Sequence, residues 1–138
     1  MTVSVSALSL KIVIRCKKFE ASHAFYSTIL GLDVVQEWSE DQGRGCVFGF
    51  GERESGGCIE IYEMTTRDKR YSPAFMQSFQ NDKVDVQLGA RSVDFWVEKL
   101  GGKWPFEGPE TLPWGQRWIK LRDPDNLLIA IYEDLPKQ

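Results

Sequence analysis

The stretch Cys58-Ile59-Glu60-Ile61-Tyr62-Glu63 is written twice in this chain, the second time seventy positions later as Leu128-Ile129-Ala130-Ile131-Tyr132-Glu133. The match runs backwards without a gap: Leu30-Gly31 falls on Leu100-Gly101, Glu37 on Glu107, Glu40 on Glu110, Gly45 on Gly115 and Phe48 on Trp118. Self-similarity at a fixed offset marks two copies of one supersecondary unit. One change inside the repeated strand carries chemistry, Glu60 against Ala130.

Outward from the first copy, residues 9–15 alternate around Ile12-Val13-Ile14 and predict a strand, and residues 19–30 carry a helical apolar stripe that ends at Gly31. Glycine there suits a left-handed C-terminal cap. Strands follow at 32–38, 46–50 and 58–63, separated by polar, Gly-bearing turns. The first unit, about 8–63, is therefore β-α-β-β-β. Residues 64–82 form a connector with the solvated charge run Arg67-Asp68-Lys69-Arg70 and a short helical turn near 74–79. The second unit, about 83–133, repeats the order. It has a strand at 83–88, a helix at 92–100 closed by Gly101-Gly102, a short strand at 103–106, and strands at 116–122 and 127–133. Asp123-Pro124-Asp125-Asn126 is the turn into the last strand, because Pro fixes φ and Asp and Asn cap local backbone. The tail 134–138 is expected to fray. The fold class is α+β: one domain, residues 1–138, of two β-α-β-β-β units whose curved mixed sheets form a cleft.

A chain of 138 residues suffices for one core and not for two independent ones. With 42% hydrophobic and 27% charged residues it has the composition of a soluble globular protein. A net charge of −3 lacks the basic face that nucleic acid or an anionic membrane would require. No apolar run approaches the ~20 residues that span a bilayer, and residues 1–6 lack the pattern of a signal peptide. Cys16, Cys46 and Cys58 are odd in number and have no metal-type spacing, which predicts reduced, buried thiols in a cytoplasmic protein.

The doubled unit, the helix bearing His23-Ala24-Phe25-Tyr26 and ending Leu30-Gly31-Leu32, and the Asp123-Pro124-Asp125-Asn126 turn together resemble the vicinal oxygen chelate superfamily. That group includes glyoxalase I, extradiol dioxygenases, metal-dependent fosfomycin-resistance transferases and bleomycin-resistance proteins. The resemblance spans about residues 8–133, and Pro113-Trp114-Gly115-Gln116-Arg117-Trp118 is similar to a stretch of bleomycin-resistance-like members. The turn departs from the common Asp-Pro-Asp-Gly-Asn by one residue. The resemblance implies that a metal, where one is held, is bound at the positions of Lys11, Glu60, Asp85 and Ala130. An ammonium and a methyl are poor company for a site that wants several imidazole or carboxylate donors. The chain's one histidine, His23, lies on the first helix. The expectation is no metal and no cofactor, with Lys11 and Glu60 joined as an ion pair. Glu60 alone could serve as a general base. The sequence holds no Gly-rich phosphate loop, no strand-turn Ser nucleophile and no paired Cys and His.

If Ile59 and Ile61 pack under the helix, alternation sends Cys58, Glu60 and Tyr62 into the cleft, and likewise Leu128, Ala130 and Tyr132. The expected ligand-binding set is the aromatic residues Trp38, Phe48, Tyr62, Trp104, Phe106, Trp114, Trp118 and Tyr132 with the polar handles Lys11, Arg15, Glu60, Asp85 and Gln87. Trp114, between Pro113 and Gly115, is the foremost ligand-facing ring. The resulting reading is a metal-independent binding protein that sequesters a planar or aromatic small molecule such as an antibiotic, and so an antibiotic-resistance protein. It would be a homodimer whose 19-residue connector is long enough to exchange elements. The reading leans away from an enzyme, with two alternatives: a divalent-metal lyase, dioxygenase or thiol transferase of the same superfamily, and a regulatory or scaffold module with a protein partner.

Overall fold

Period-two alternation puts Ile59 and Ile61 on one face of the repeated strand and Glu60 and Tyr62 on the other, and only the two isoleucines are fully buried. The computed structural model describes residues 7–52, 56–64 and 72–137. It divides into two compact units, Met1–Gln77 and Ser78–Gln138. The first contains β1 (Lys11–Arg15), α1 (Phe19–Ala24), β2 (Asp33–Glu40), β3 (Gly43–Gly49), β4 (Cys58–Met64) and the single turn α2 (Ser72–Phe75). The second contains β5 (Val86–Gly89), α3 (Val93–Leu100), β6 (Glu107–Leu112), β7 (Gln116–Arg122) and β8 (Leu128–Asp134). The sheets are ordered β1-β4-β3-β2 and β5-β8-β7-β6. In each, the first strand runs parallel to the last and the other pairs are antiparallel. The molecule is thus α+β, built from two repeats with open mixed sheets. No helix among the described residues is long and apolar enough to cross a membrane.

The helices end where the local chemistry directs. Helix α1 widens into a π turn, Phe25–Ile29, in which the Leu30 N–H donates to the Phe25 carbonyl, and Gly31 then reverses the chain at φ +68. Helix α3 is capped by Ser92, whose hydroxyl accepts from the Phe95 N–H. Each helix covers one face of its sheet: Phe25, Tyr26, Phe48, Ile59 and Ile61 are fully buried in the first unit, Val93, Leu100, Ile119, Ile129 and Ile131 in the second. Burying each of those isoleucines contributes about 2–3 kcal/mol. A charged clamp is also duplicated. Arg44 pairs with Glu63 across the strands and with Glu20 on α1; Arg117 stands between Glu133 and Asp94 on α3 in the same way.

The structure corrects three expectations. Residues 103–106 are not a strand, because the Lys103 and Trp104 N–H groups bond back to the Leu100 carbonyl and prolong the helix end as a turn, so β6 begins at Glu107. Phe48 and Trp118 are not equivalent. Phe48 pairs with Ile59, whereas Trp118 pairs with Tyr132, the counterpart of Tyr62, which itself pairs with Gly45. The repeat therefore slips by three residues in its middle strands, and Trp118 stands where the first unit has Gly45. The short helical turn lies at Ser72–Phe75, ahead of its expected place. The run Arg67-Asp68-Lys69-Arg70 and residues 1–6 lie outside the described residues.

Candidate functional site

On the sheet face turned away from the helices, the pairing registers place side chains in rows. In the first unit one row reads Arg15, Tyr62, Gly45, Trp38, and the next Val13, Glu60, Val47, Gln36. The matching rows of the second unit read Gly89, Tyr132, Trp118, Glu110 and Gln87, Ala130, Lys120, Glu107. Tyr62 and Tyr132 thus take the face that alternation assigns them. Phe48, expected in the ligand-binding set, lies on the other face: its ring is fully buried against the helix, 5.8 Å from Tyr26 and 6.4 Å from His23. It belongs to the core because its register partner is Ile59.

In the first unit this face is closed by its own contacts. The Lys11 ammonium lies 3.1 Å from Glu60 Oε1, the expected ion pair. Trp38 covers Gly45 and stacks 6.4 Å from Tyr62, and Tyr62 meets Phe75 edge-on at 5.6 Å. Arg15 is exposed at the end of that row.

The second unit is more open. Between β7 and the segment leading into β6 lies a hollow of about 600 Å³, walled by Trp104, Pro105, Phe106, Leu128 and Pro124 and edged by Asp82, Glu107, Lys120 and Arg122. That volume is within the range of small-molecule sites, and apolar walls with few polar groups are their usual lining. The Trp104 indole N–H donates to the Arg122 carbonyl at 2.8 Å, which fixes one wall. Beside the hollow, Trp118 carries the Lys120 ammonium 4.5 Å above its ring and meets Trp114 edge-on at 6.0 Å. Trp114 is 64% exposed and donates to Gln116 Oε1. The structure brings together Trp104 and Phe106 in the hollow, and Trp114, Trp118 and Tyr132 in a second group that Lys120 links to it. Asp82, Lys120 and Arg122 were missed by sequence reasoning; the only signal available was the alternation of β7, which places Trp118, Lys120 and Arg122 on one face.

Arg122 forks onto Asp82, with Nη1 at 2.6 Å and Nη2 at 2.8 Å from the two carboxylate oxygens. That hydrogen bonding, aided by the charges of Arg122 and Lys120, holds the Asp82 carboxyl below the usual carboxylate range. A depressed folded-state pKa contributes stability above the unfolded value, about 3.9, that is lost as pH falls through the folded one. Arg122→Met is expected to remove this contribution. The gap in urea midpoint between parent and variant should therefore narrow as pH drops below about 4, and narrow further in high salt because both groups are near half exposed. A gap independent of pH would contradict this.

The positions that would hold a metal in a protein of this architecture do not fit one. Glu60 is neutralised by Lys11, Ala130 has no donor, and Asp85 accepts from the Gln87 amide at 3.1 Å. Elsewhere the structure makes a pairing that the sequence conceals. His23 and Cys46, separated by Glu37, come together on the helix face of the first unit. His23 Nε2 is 2.6 Å from Glu37 Oε1, a hydrogen bond that holds the Glu37 carboxyl below its usual range. Burial, reinforced by the Glu37 charge, pushes the Cys46 thiol up to about 12.

A family model described as the Glyoxalase/Bleomycin resistance protein/Dioxygenase superfamily matches residues 9–131. Among solved structures, a glyoxalase/bleomycin resistance protein/dioxygenase from Nocardioides superposes with a TM-score of 0.66 at 22% identity, covering 99% of this chain and 91% of that one. TnmS3, an antibiotic binding protein from Streptomyces sp. CB03234, gives 0.67 at 16% identity over 96% and 99% of the two chains. An integron cassette protein from the mobile metagenome of V. cholerae gives 0.60 at 19% identity over 96% and 98%. No curated protein matches this chain.

Proposed function

From the chain's membership of the Glyoxalase/Bleomycin resistance protein/Dioxygenase superfamily, we infer that it is a binding protein that holds a planar aromatic small molecule without a metal and without altering it. The observation that carries this reading is the second unit's hollow beside the Trp114–Trp118 pair, with Lys120 and Arg122 at its edge. Flat rings offer large contact area at little entropic cost, and Lys120, with Arg122 already paired to Asp82, is the cation at the edge for an acceptor group of the ligand. Among proteins of this fold, the antibiotic-binding TnmS3 makes an antibiotic a reasonable ligand class, and resistance by sequestration the corresponding role. The ligand-binding residues in this reading are Trp104, Phe106, Trp114, Trp118 and Tyr132 with Lys120 and Arg122. Of the other expected residues, Asp85 and Gln87 belong to the same unit, and Lys11, Arg15, Trp38, Glu60 and Tyr62 form the corresponding face of the first unit. A cytoplasmic homodimer, with or without exchanged units, accompanies the proposal.

The test is tryptophan-fluorescence titration with planar polycyclic antibiotics and with anilinonaphthalene sulfonate, the compound being recovered and weighed by mass spectrometry. Binding is expected to quench the parent, to weaken about tenfold in Trp114→Ala, equivalent to about 1.4 kcal/mol, and to return the compound unchanged. Equal affinity in Trp114→Ala would refute the role of that ring. Turnover that stops with a chelator and resumes on restoring the ion would instead establish a metal-dependent enzyme.

A further inference from the structure

The geometry points to a divalent-metal site of the zinc class at His23, Glu37 and Cys46, on the helix face of the first unit. It shares no residue with the hollow described above and is independent of that reading. The three donor atoms all lie within 4.8 Å of one another. Tetrahedral coordination at zinc-like bond lengths of about 2.0–2.3 Å needs donors roughly 3.3–3.7 Å apart. To reach it the His23–Glu37 pair, now 2.6 Å apart, has to open, and any pair near the 4.8 Å limit to close, by about 1 Å.

The elements hold the donors rigidly. Glu37 on β2 and Cys46 on β3 are direct cross-strand partners, and His23 descends onto them from α1 with its ring packed between Phe19 at 5.6 Å and Phe48 at 6.4 Å. The back of the imidazole is provided for as well. Ser27 Oγ donates to the His23 carbonyl and sits 3.4 Å from His23 Nδ1. Once an ion takes Nε2 the ring carries its proton on Nδ1, where the hydroxyl, its own proton committed to that carbonyl, presents a lone pair. Such support behind a ligating histidine is what metal sites use to fix the tautomer. Cys46 is fully buried while the His23 and Glu37 side chains are 34% and 53% exposed, so one donor forms the floor and two form the mouth. An imidazole, a carboxylate and a thiolate with a fourth position left to water favour zinc over magnesium or calcium, which take oxygen ligands. Binding moves the ring proton from Nε2 to Nδ1 and exchanges the Cys46 thiol proton, which leaves to solvent, for the ion.

The experiment uses the whole protein, stripped with a chelator and titrated with Co²⁺ and then Zn²⁺. One equivalent of Co²⁺ per chain should give a near-ultraviolet thiolate-to-cobalt charge-transfer band that Zn²⁺ abolishes by displacement. The band should survive Cys16→Ala and Cys58→Ala and vanish in Cys46→Ala. His23→Gln and Glu37→Gln, judged folded by circular dichroism, should each lose at least about tenfold in Co²⁺ affinity. Saturating Zn²⁺ should raise the melting temperature of the parent and leave that of His23→Gln unmoved. No stoichiometric band, or a band that persists in Cys46→Ala, overturns the proposal. Because Cys46 is buried, its variant could fail to fold. The half-exposed His23 and Glu37 then decide alone, and unchanged Co²⁺ affinity in both is equally fatal.

Discussion

Asp123→Ala is expected to lower the stability of the protein by about 3 kcal/mol, because one carboxylate oxygen there does the work of two hydrogen-bond partners. Asp123 is 4% exposed, and its Oδ1 accepts from the Asp125 N–H at 2.8 Å and from the Leu127 N–H at 2.9 Å. The turn it organises also places Asn126 at φ +72, where the Asn126 amide donates to the Phe79 carbonyl and the Phe79 N–H to the Asp125 carbonyl. Alanine would leave two buried N–H donors without their acceptor, the costly half of losing a hydrogen bond. Asparagine keeps an oxygen with two lone pairs at the same place and should cost only about 1 kcal/mol. Urea unfolding checks both, the midpoint falling at constant slope if stability alone has changed. Asp123 also lines the hollow, so Asp123→Ala should loosen ligand binding through the wall rather than through contact. Equal stability of the alanine and asparagine variants would dismiss the double-acceptor account.

How far the sequence could be read differs sharply between elements, and the difference is physical. The strands β4 and β8 were legible because two faces of unlike burial force a period of two, and their repeat offset of seventy holds to the residue. The ion pair of Lys11 with Glu60 rested on the family resemblance, which implies that the first and fourth strands pair, and β1 does lie beside β4. The middle strands were misread because identity is a poor guide where glycine is concerned. The overlay matched Gly45 with Gly115, yet Gly45 sits inside β3 under the Trp38 ring and Gly115 is a turn residue at φ +93. The charged clamp shows the true spacing, since Arg44 and Arg117 occupy equivalent places 73 residues apart and each binds the glutamate opposite it. Two features left no local trace. Asp82 reaches Arg122 across forty positions, and His23, Glu37 and Cys46 meet from a helix and two strands; such sites exist only once the fold has formed.

The corrected register predicts a rescue. At one cross-strand site the first unit has Trp38 over Gly45 and the second has Glu110 beside Trp118, so the two copies place the large ring on opposite strands. A side chain at Gly45 has nowhere to go, since its Cβ would fall 2.0 Å from Trp38 Cζ2. Gly45→Trp is accordingly expected to cost about 3 kcal/mol or more, at the upper end of overpacking. Trp38→Glu vacates that space, and the double variant rebuilds the row Glu, Trp, Tyr that the second unit already accommodates as Glu110, Trp118 and Tyr132. The double variant should therefore be more stable than Gly45→Trp, with a favourable coupling of about 2 kcal/mol in a double-mutant cycle read from urea midpoints. Additive losses would mean that the ring and the glycine are not each other's cause. In that case the half-buried Trp118 would owe its place to something other than the slip between the copies.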